Sequence, residues 1–243
     1  MQKLYYKITA IILAAFIILC FTPSCMANPD DSNSYKSSGD TLTDILANYR
    51  NDGMTSWWQI VAVYNAGENP MDYKGFDDIL GSIIGDDNTV MASYVIVSDI
   101  AAVIGADPGY FEKYEEYKTK LKNLLENPLD SNTLNDYIFS YYALKCSGMI
   151  FDETSFLNYL SQAQKSDGGF ALSGDAGDID ITAFVVPALK LLSSNADPVS
   201  SINPALPLMH NDVKFLPNNV GDDGACASVS ANATENSNST AVA

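Results

Sequence analysis

The sequence predicts an all-α fold, an α/α toroid in which outer amphipathic helices alternate with inner apolar ones. Three observations point there. Four stripes of apolar residues recur at the spacing of one helix face, four segments between them are apolar at nearly every position, and a glycine-rich turn returns at long period. An amphipathic helix sits with one face wet, whereas a helix without a polar face is buried all round. Their alternation closes most simply as a double ring, with the inner helices parallel around a central cavity. An irregular bundle or an open solenoid is the alternative. No strand pattern or hairpin signal competes.

Residues 1–27 stand outside this pattern. Lys3 and Lys7 precede an apolar run from Ile8 to Phe21, and small residues allow cleavage after Ala27, the layout of a secretory signal peptide. The alternative is a lipoprotein signal that anchors the chain through Cys25, although Thr22-Pro23-Ser24 departs from the aliphatic-small-small pattern of such signals. No later apolar run approaches ~18 uninterrupted residues, so no transmembrane segment is expected. Residues 28–40 (NPDDSNSYKSSGD) read as a polar linker of disordered composition. Residues 41–243 form the toroid domain.

Within it, Leu42, Ile45, Leu46 and Tyr49 mark the first outer helix, ended by Asn51-Asp52-Gly53. Trp57 to Ala66 is mostly apolar and stops at Gly67. Phe76, Ile79, Leu80, Ile83 and Ile84 share the second outer face, and Val90 to Ile104 follows as an inner helix ending at Gly105. Tyr110, Tyr114, Tyr117, Leu121 and Leu124 or Leu125 carry the third stripe, with charges between them. Leu134 to Cys146 is aromatic-rich and ends near Gly148. Phe156, Tyr159, Leu160 and Ala163 make the fourth stripe, and Ile181 to Leu192 is the fourth inner segment. Pro187 should kink that helix or delay its start.

The last pair is joined by QKSDGGFALSGDAGDIDITA, Gln164 to Ala183. Gly168 and Gly169 supply the freedom of a tight turn, and Asp178 or Asp180 can accept hydrogen bonds from free N–H groups of the next helix. The stretch recurs as Asp223-Gly224-Ala225-Cys226 and NSNSTA, Asn236 to Ala241. Asp167 to Asp223 is 56 residues and Thr182 to Thr240 is 58. An amide replaces each acid in the second copy, so the acids are not needed to build the turn. That copy opens an inner helix as the sequence ends, and the toroid is expected to be incomplete at its C-terminus.

The 243 residues carry 13 basic and 30 acidic side chains, a formal charge of −17; losing the leader removes two lysines and no acid, giving −19. Nucleic acid and anionic membrane are poor partners for such a surface. It suits a soluble exported domain, secreted or held at the cell surface, and could attract a cationic ligand or Ca²⁺. The length fits one domain with a real core. Beyond the leader only Cys146 and Cys226 remain, too few for a disulfide scaffold, and both are expected unpaired.

Leu160-x3-Gln164-x3-Gly168-Gly169-Phe170 resembles the repeat of squalene cyclases and protein prenyltransferase β-subunits. Phe stands where cyclases often carry Trp, and the lysine-or-arginine-plus-glycine that opens their repeat is missing. DIDITA resembles the cyclase acid motif Asp-x-Asp-Asp-Thr-Ala. SWWQIVAVYNAGENP and NDYIFSYYALKCSGM look like earlier inner helices of prenyltransferase-like toroids in exported bacterial proteins. The fold and repeat of transcobalamins, the vitamin B12 carriers, are similar too. The resemblance covers residues 40–243 and is most specific from 156 to 191. It implies an α/α toroid, the terpenoid cyclase fold, of which four outer–inner pairs are present and a fifth is begun.

Four functional readings follow. In a class II terpene cyclase, Asp180 would be the general acid that protonates an alkene, with Asp178 beside it. Such an acid must stay protonated yet strong, over an aromatic cavity that stabilises cations. Trp57, Trp58, Tyr94, Tyr137, Phe139, Tyr141, Tyr142 and Phe184 are the rings available. Ile181, however, stands where the third Asp should be. Protein prenylation would need zinc held by Asp, Cys and His, and this chain has one histidine, His210, and no cysteine beside Asp178 or Asp180.

The third reading, which the sequence favours, is an exported non-catalytic module that binds a small molecule or a surface partner. Its ligand-binding candidates are Asp178, Asp180, Asp99, Trp57, Trp58, Tyr94, Tyr137 and Tyr141. No catalytic residue and no metal are expected, and a corrinoid of the cobalamin type is the candidate ligand by analogy of fold. The fourth is structural: Asp178 and Asp180 cap a helix while the rings fill a core. Asp99 stands apart, because a carboxylate in the middle of VIVSDIAAVIG must be solvated or paired. Asn232 and Asn238 each begin a glycosylation sequon.

Overall fold

The computed structural model describes residues 38–106, 111–129 and 131–194, together with positions 207, 208, 211 and 215. The leader, most of the linker, His210, Cys226, both sequons and the second copy of the turn lie outside these residues. Among the described residues the structure sets out eight helices in order: α1 (Ser38–Asp52), α2 (Trp57–Asn65), α3 (Phe76–Ser82), α4 (Asn88–Ile104), α5 (Tyr114–Glu126), α6 (Leu134–Cys146), α7 (Thr154–Ala163) and α8 (Ile179–Ser194), with a short 3₁₀ turn at Pro70–Asp72. Among the described residues there is no strand; one antiparallel bridge joins Phe170 to Asp178. The chain is all-α.

Each helix begins and ends for a local reason. The Gln59 side chain accepts the Ser56 N–H (3.0 Å) and so closes the open start of α2. Asp87 Oδ1 accepts from the Thr89 and Val90 N–H groups at 2.9 and 3.2 Å, capping α4. That helix stops at Gly105, whose φ of +83° suits a residue without a Cβ. Pro187 lies inside α8 rather than at its start. The helix already begins at Ile179, so the proline does not delay it.

The contrast between apolar and amphipathic helices has a counterpart in burial. Every residue of α4 from Met91 to Ser98 is buried, whereas α5 exposes Glu115, Glu116, Thr119 and Lys120 and buries Tyr117, Leu121, Leu124 and Leu125. Lys113 and Lys120 both pair with Glu116, at 2.9 and 3.0 Å on the wet side, where such pairs contribute little to stability. No helix among the described residues is long and apolar enough to cross a membrane.

The chain divides into two compact units, and the division falls inside α5 and α6. The first holds α1 to α4, α5 as far as Lys122, and α6 from Tyr142. Its core is built by Ile60, Val61 and Val63 of α2 with Met91, Val95 and Ile100 of α4, the two helices being packed together. The second holds α6 as far as Tyr141, α7, α8 and the turn between them, with Tyr137, Tyr141, Phe156, Leu160, Phe170, Ile179 and Leu189 in its interior.

Candidate functional site

The turn between α7 and α8 is knitted by backbone and side chain together. Asp167 holds both ends: its Oδ1 accepts the Gly169 N–H (3.0 Å) and its Oδ2 the Gly177 N–H (2.8 Å). The Phe170 carbonyl accepts the Asp178 N–H at 2.7 Å. Thr182, one turn into α8, reaches back. Its buried hydroxyl accepts the Phe170 N–H (2.8 Å) and donates to the Asp178 carbonyl (2.6 Å). These bonds satisfy backbone groups that burial would otherwise make costly.

Asp178 is the cap of α8. Its Oδ1 accepts from the N–H groups of Asp180 (3.0 Å) and Ile181 (3.1 Å), two of the open donors at the helix start. Sequence alone left Asp178 and Asp180 as equal candidates for that role; the geometry gives it to Asp178. Asp180 instead sits half-buried in the first turn, where a negative charge complements the helix dipole. Asp178→Ala is accordingly expected to cost about 1 kcal/mol and Asp180→Asn no more than a few tenths. Urea unfolding of the two variants measures the difference.

The glycines are there for what packs on them. A Cβ on Gly169 would lie 2.8 Å from the Phe215 ring and 2.9 Å from the Gly177 Cα; one on Gly177 would lie 2.7 Å from the Gly169 Cα. Gly168 has φ +93° and faces the Asn211 carbonyl oxygen, which would be 2.9 Å from its Cβ. Gln164 completes the seam. Its amide donates to the carbonyls of Gly168 (3.0 Å) and Leu208 (3.2 Å) and accepts from Asn211 (3.1 Å). The motif Gln-x3-Gly-Gly-Phe is thus the seat on which Leu208, Asn211 and Phe215 are docked.

The remaining candidates divide between the two units. In the second, Tyr137 and Tyr141 are fully buried against α7. Tyr137 packs on Tyr159 with ring centres 4.1 Å apart, and its hydroxyl bonds both the N–H and the carbonyl of Leu129 at 2.7 Å. Tyr141 stacks on Phe156 at 4.8 Å, and burial pushes its phenol well above the ordinary range. Both rings are core residues. Phe139 meets Phe184 of α8 edge to face at 5.6 Å.

In the first unit, Trp57 and Trp58 stack on each other at 3.8 Å in the first turn of α2, Trp58 being 37% exposed. Tyr142 is buried. Tyr94 and Asp99 share α4 and are both tied to the start of α5. The Tyr94 hydroxyl accepts the Lys113 N–H (3.3 Å), and Tyr114 donates to Asp99 Oδ1 (2.5 Å). Asp99, expected to be solvated or paired, is held by a neutral phenol, with burial raising its carboxyl to about 7. Cys146 is a free, buried thiol pushed upward by burial and then by the Asp99 charge, which leaves it protonated and inert.

No protein-family model, curated protein or solved structure matches the chain. The likeness to the cyclase and prenyltransferase repeat therefore rests on the motifs themselves. Thr182, Gln164 and Tyr114 hold the candidate sites together. Thr182 and Gln164 lie inside the quoted motifs, and Tyr114 inside an apolar stripe, so each had a signal of position but none of role.

Proposed function

We propose that this is an exported α/α toroid of the prenyltransferase-like kind, which binds a small apolar or corrinoid molecule, or a cell-surface partner, without transforming it. The reading rests on the two-sided character of α8. Ile179, Thr182, Val185, Ala188 and Leu189 are buried, while Asp180, Ala183, Phe184, Pro187 and Leu191 are half-buried along one stripe. An apolar strip headed by one acid is what a concave site for a largely apolar ligand offers. The acid motif does not favour catalysis. Asp178 is committed to two backbone donors, and apolar Ile181 takes the place from which a third carboxyl would tune Asp180.

Equilibrium dialysis against cyanocobalamin and against a linear polyprenol tests this. Saturable uptake of either, lost in Phe184→Glu while the helical circular dichroism is retained, is the expected result. No saturation with either would remove the small-molecule form of the proposal. Incubation with squalene should yield no cyclic product. Cyclisation that disappears in Asp180→Asn would replace binding by the terpene cyclase reading.

A further inference from the structure

We propose that Asp99 is a pH-operated clasp between α4 and α5: protonated, it seats Tyr114 and the start of α5, and ionised, it releases them. The inference is independent of any ligand. It stands on the cluster around Asp99. The side chain projects from the middle of a helix whose neighbours Val95, Ile96 and Ile100 are buried apolar residues. Oδ1 accepts from the Tyr114 hydroxyl at 2.5 Å, and Oδ2 is buried with no hydrogen-bond partner among the described residues. A neutral carboxyl tolerates that position, whereas a carboxylate with one unsolvated oxygen does not.

The titratable and charged groups around Asp99 are Tyr114, Glu115 and Lys118 of α5 and Cys146 of α6. Tyr114 and Lys118 favour the ionised form, Glu115 opposes it, and burial opposes it most. The balance sets the carboxyl at about 7, where modest changes of pH move it. Lys118 is the counter-ion in waiting. Its side chain is only 12% exposed, its ammonium lies 4.4 Å from the centre of the Tyr114 ring, and it bonds to Glu115, which is itself 78% exposed. That outer partner is a weak hold. What Tyr114 and Lys118 give the carboxylate is outweighed by the burial that opposes it, so an ionised Asp99 is stabilised by reaching water, which opens the start of α5. The Tyr94 hydroxyl on Lys113 N–H is the neighbouring tie that keeps the start of α5 in place while Asp99 is protonated.

The test follows the carboxyl directly. The purified protein, labelled with ¹³C at aspartate carboxyls, is titrated from pH 4 to 9, and amide exchange of residues 113–119 is measured over the same range and corrected for intrinsic rates. Asp99 is expected to titrate near neutrality, and exchange in this segment to rise by about an order of magnitude across the same midpoint. Tyr114→Phe should move the midpoint to higher pH, since it removes a donor that favours the carboxylate. In Asp99→Asn the corrected exchange should be level with pH. A midpoint below pH 5 overturns the proposal, and so does a neutral midpoint with unchanged exchange. Should Asp99→Asn fail to fold, the wild type and Tyr114→Phe decide the question between them.

Discussion

Gly177→Ala is expected to destabilise the protein by about 3 kcal/mol, at the upper end of what overpacking a buried site costs. The added methyl would sit 2.7 Å from the Gly169 Cα and 2.8 Å from the ring of Phe215, so it meets backbone on one side and a buried aromatic on the other. Neither can rotate out of the way. The N–H of Gly177 is also held by Asp167 at 2.8 Å, which resists a shift of its own strand of chain. Gly81→Ala is the matching control: it lies inside α3 with nothing within 4 Å, and alanine there should stabilise by roughly 0.5–1 kcal/mol through helix propensity. Urea midpoints should move in opposite directions for the same chemical change. Phe215→Ala combined with Gly177→Ala should cost less than the two singly added, because the ring and the methyl compete for one space. Equal effects at the two glycines would mean that Phe215 does not occupy the seat.

Stability should fall as pH rises through neutrality, and Asp99 should account for most of the fall. Its folded carboxyl is raised to about 7 against an ordinary value of 3.8, so between these limits the folded state holds a proton that the unfolded state does not. The unfolded state binds fewer protons, hence the slope of stability against pH is negative there. The contribution is fully present below about pH 4, declines from there to about pH 7, and is then flat. Between pH 5 and pH 8 this amounts to roughly 3 kcal/mol. Asp99→Asn keeps an acceptor for Tyr114 and carries no charge, so its stability should vary far less over this interval. Denaturant melts at pH 5 and pH 8 measure the difference, and parallel losses in the two proteins would exonerate Asp99.

The helices were legible wherever composition changed abruptly. The bounds of α6, Leu134 and Cys146, coincide with the apolar run, because polar residues precede it and Ser147-Gly148 follow. The start of α1 at Ser38 was not visible, since Ser38 to Thr41 carry no apolar stripe. At the turn, the sequence singled out the glycines and both acids, and of the acids Asp178 caps α8. It could not choose between Asp178 and Asp180 as cap, because both precede the same apolar helix and differ only in where the backbone turns. Nor could it find Phe215 and Asn211, whose pairing with Gly168, Gly169 and Gly177 spans some 40 residues and leaves no periodic trace. Asp99 was conspicuous as an acid in an apolar helix; Tyr114 was not, because a tyrosine in an outer stripe looks like any other core ring.

The seat formed by Gly169 and Gly177 also imposes an order of events during synthesis. Phe215 leaves the ribosome 38 residues after Gly177, so for that interval two facing glycines have no ring between themselves and water. The nascent turn then has its internal bonds but not its lid, and glycine backbone that is not yet packed keeps the conformational freedom that disfavours order. Chains emerge N-terminal end first at about 5–20 residues per second, so this half-built state lasts a few seconds. A chaperone or protease that reads exposed backbone would find its opening in that interval, at residues 164–178, and lose it when the phenyl ring arrives.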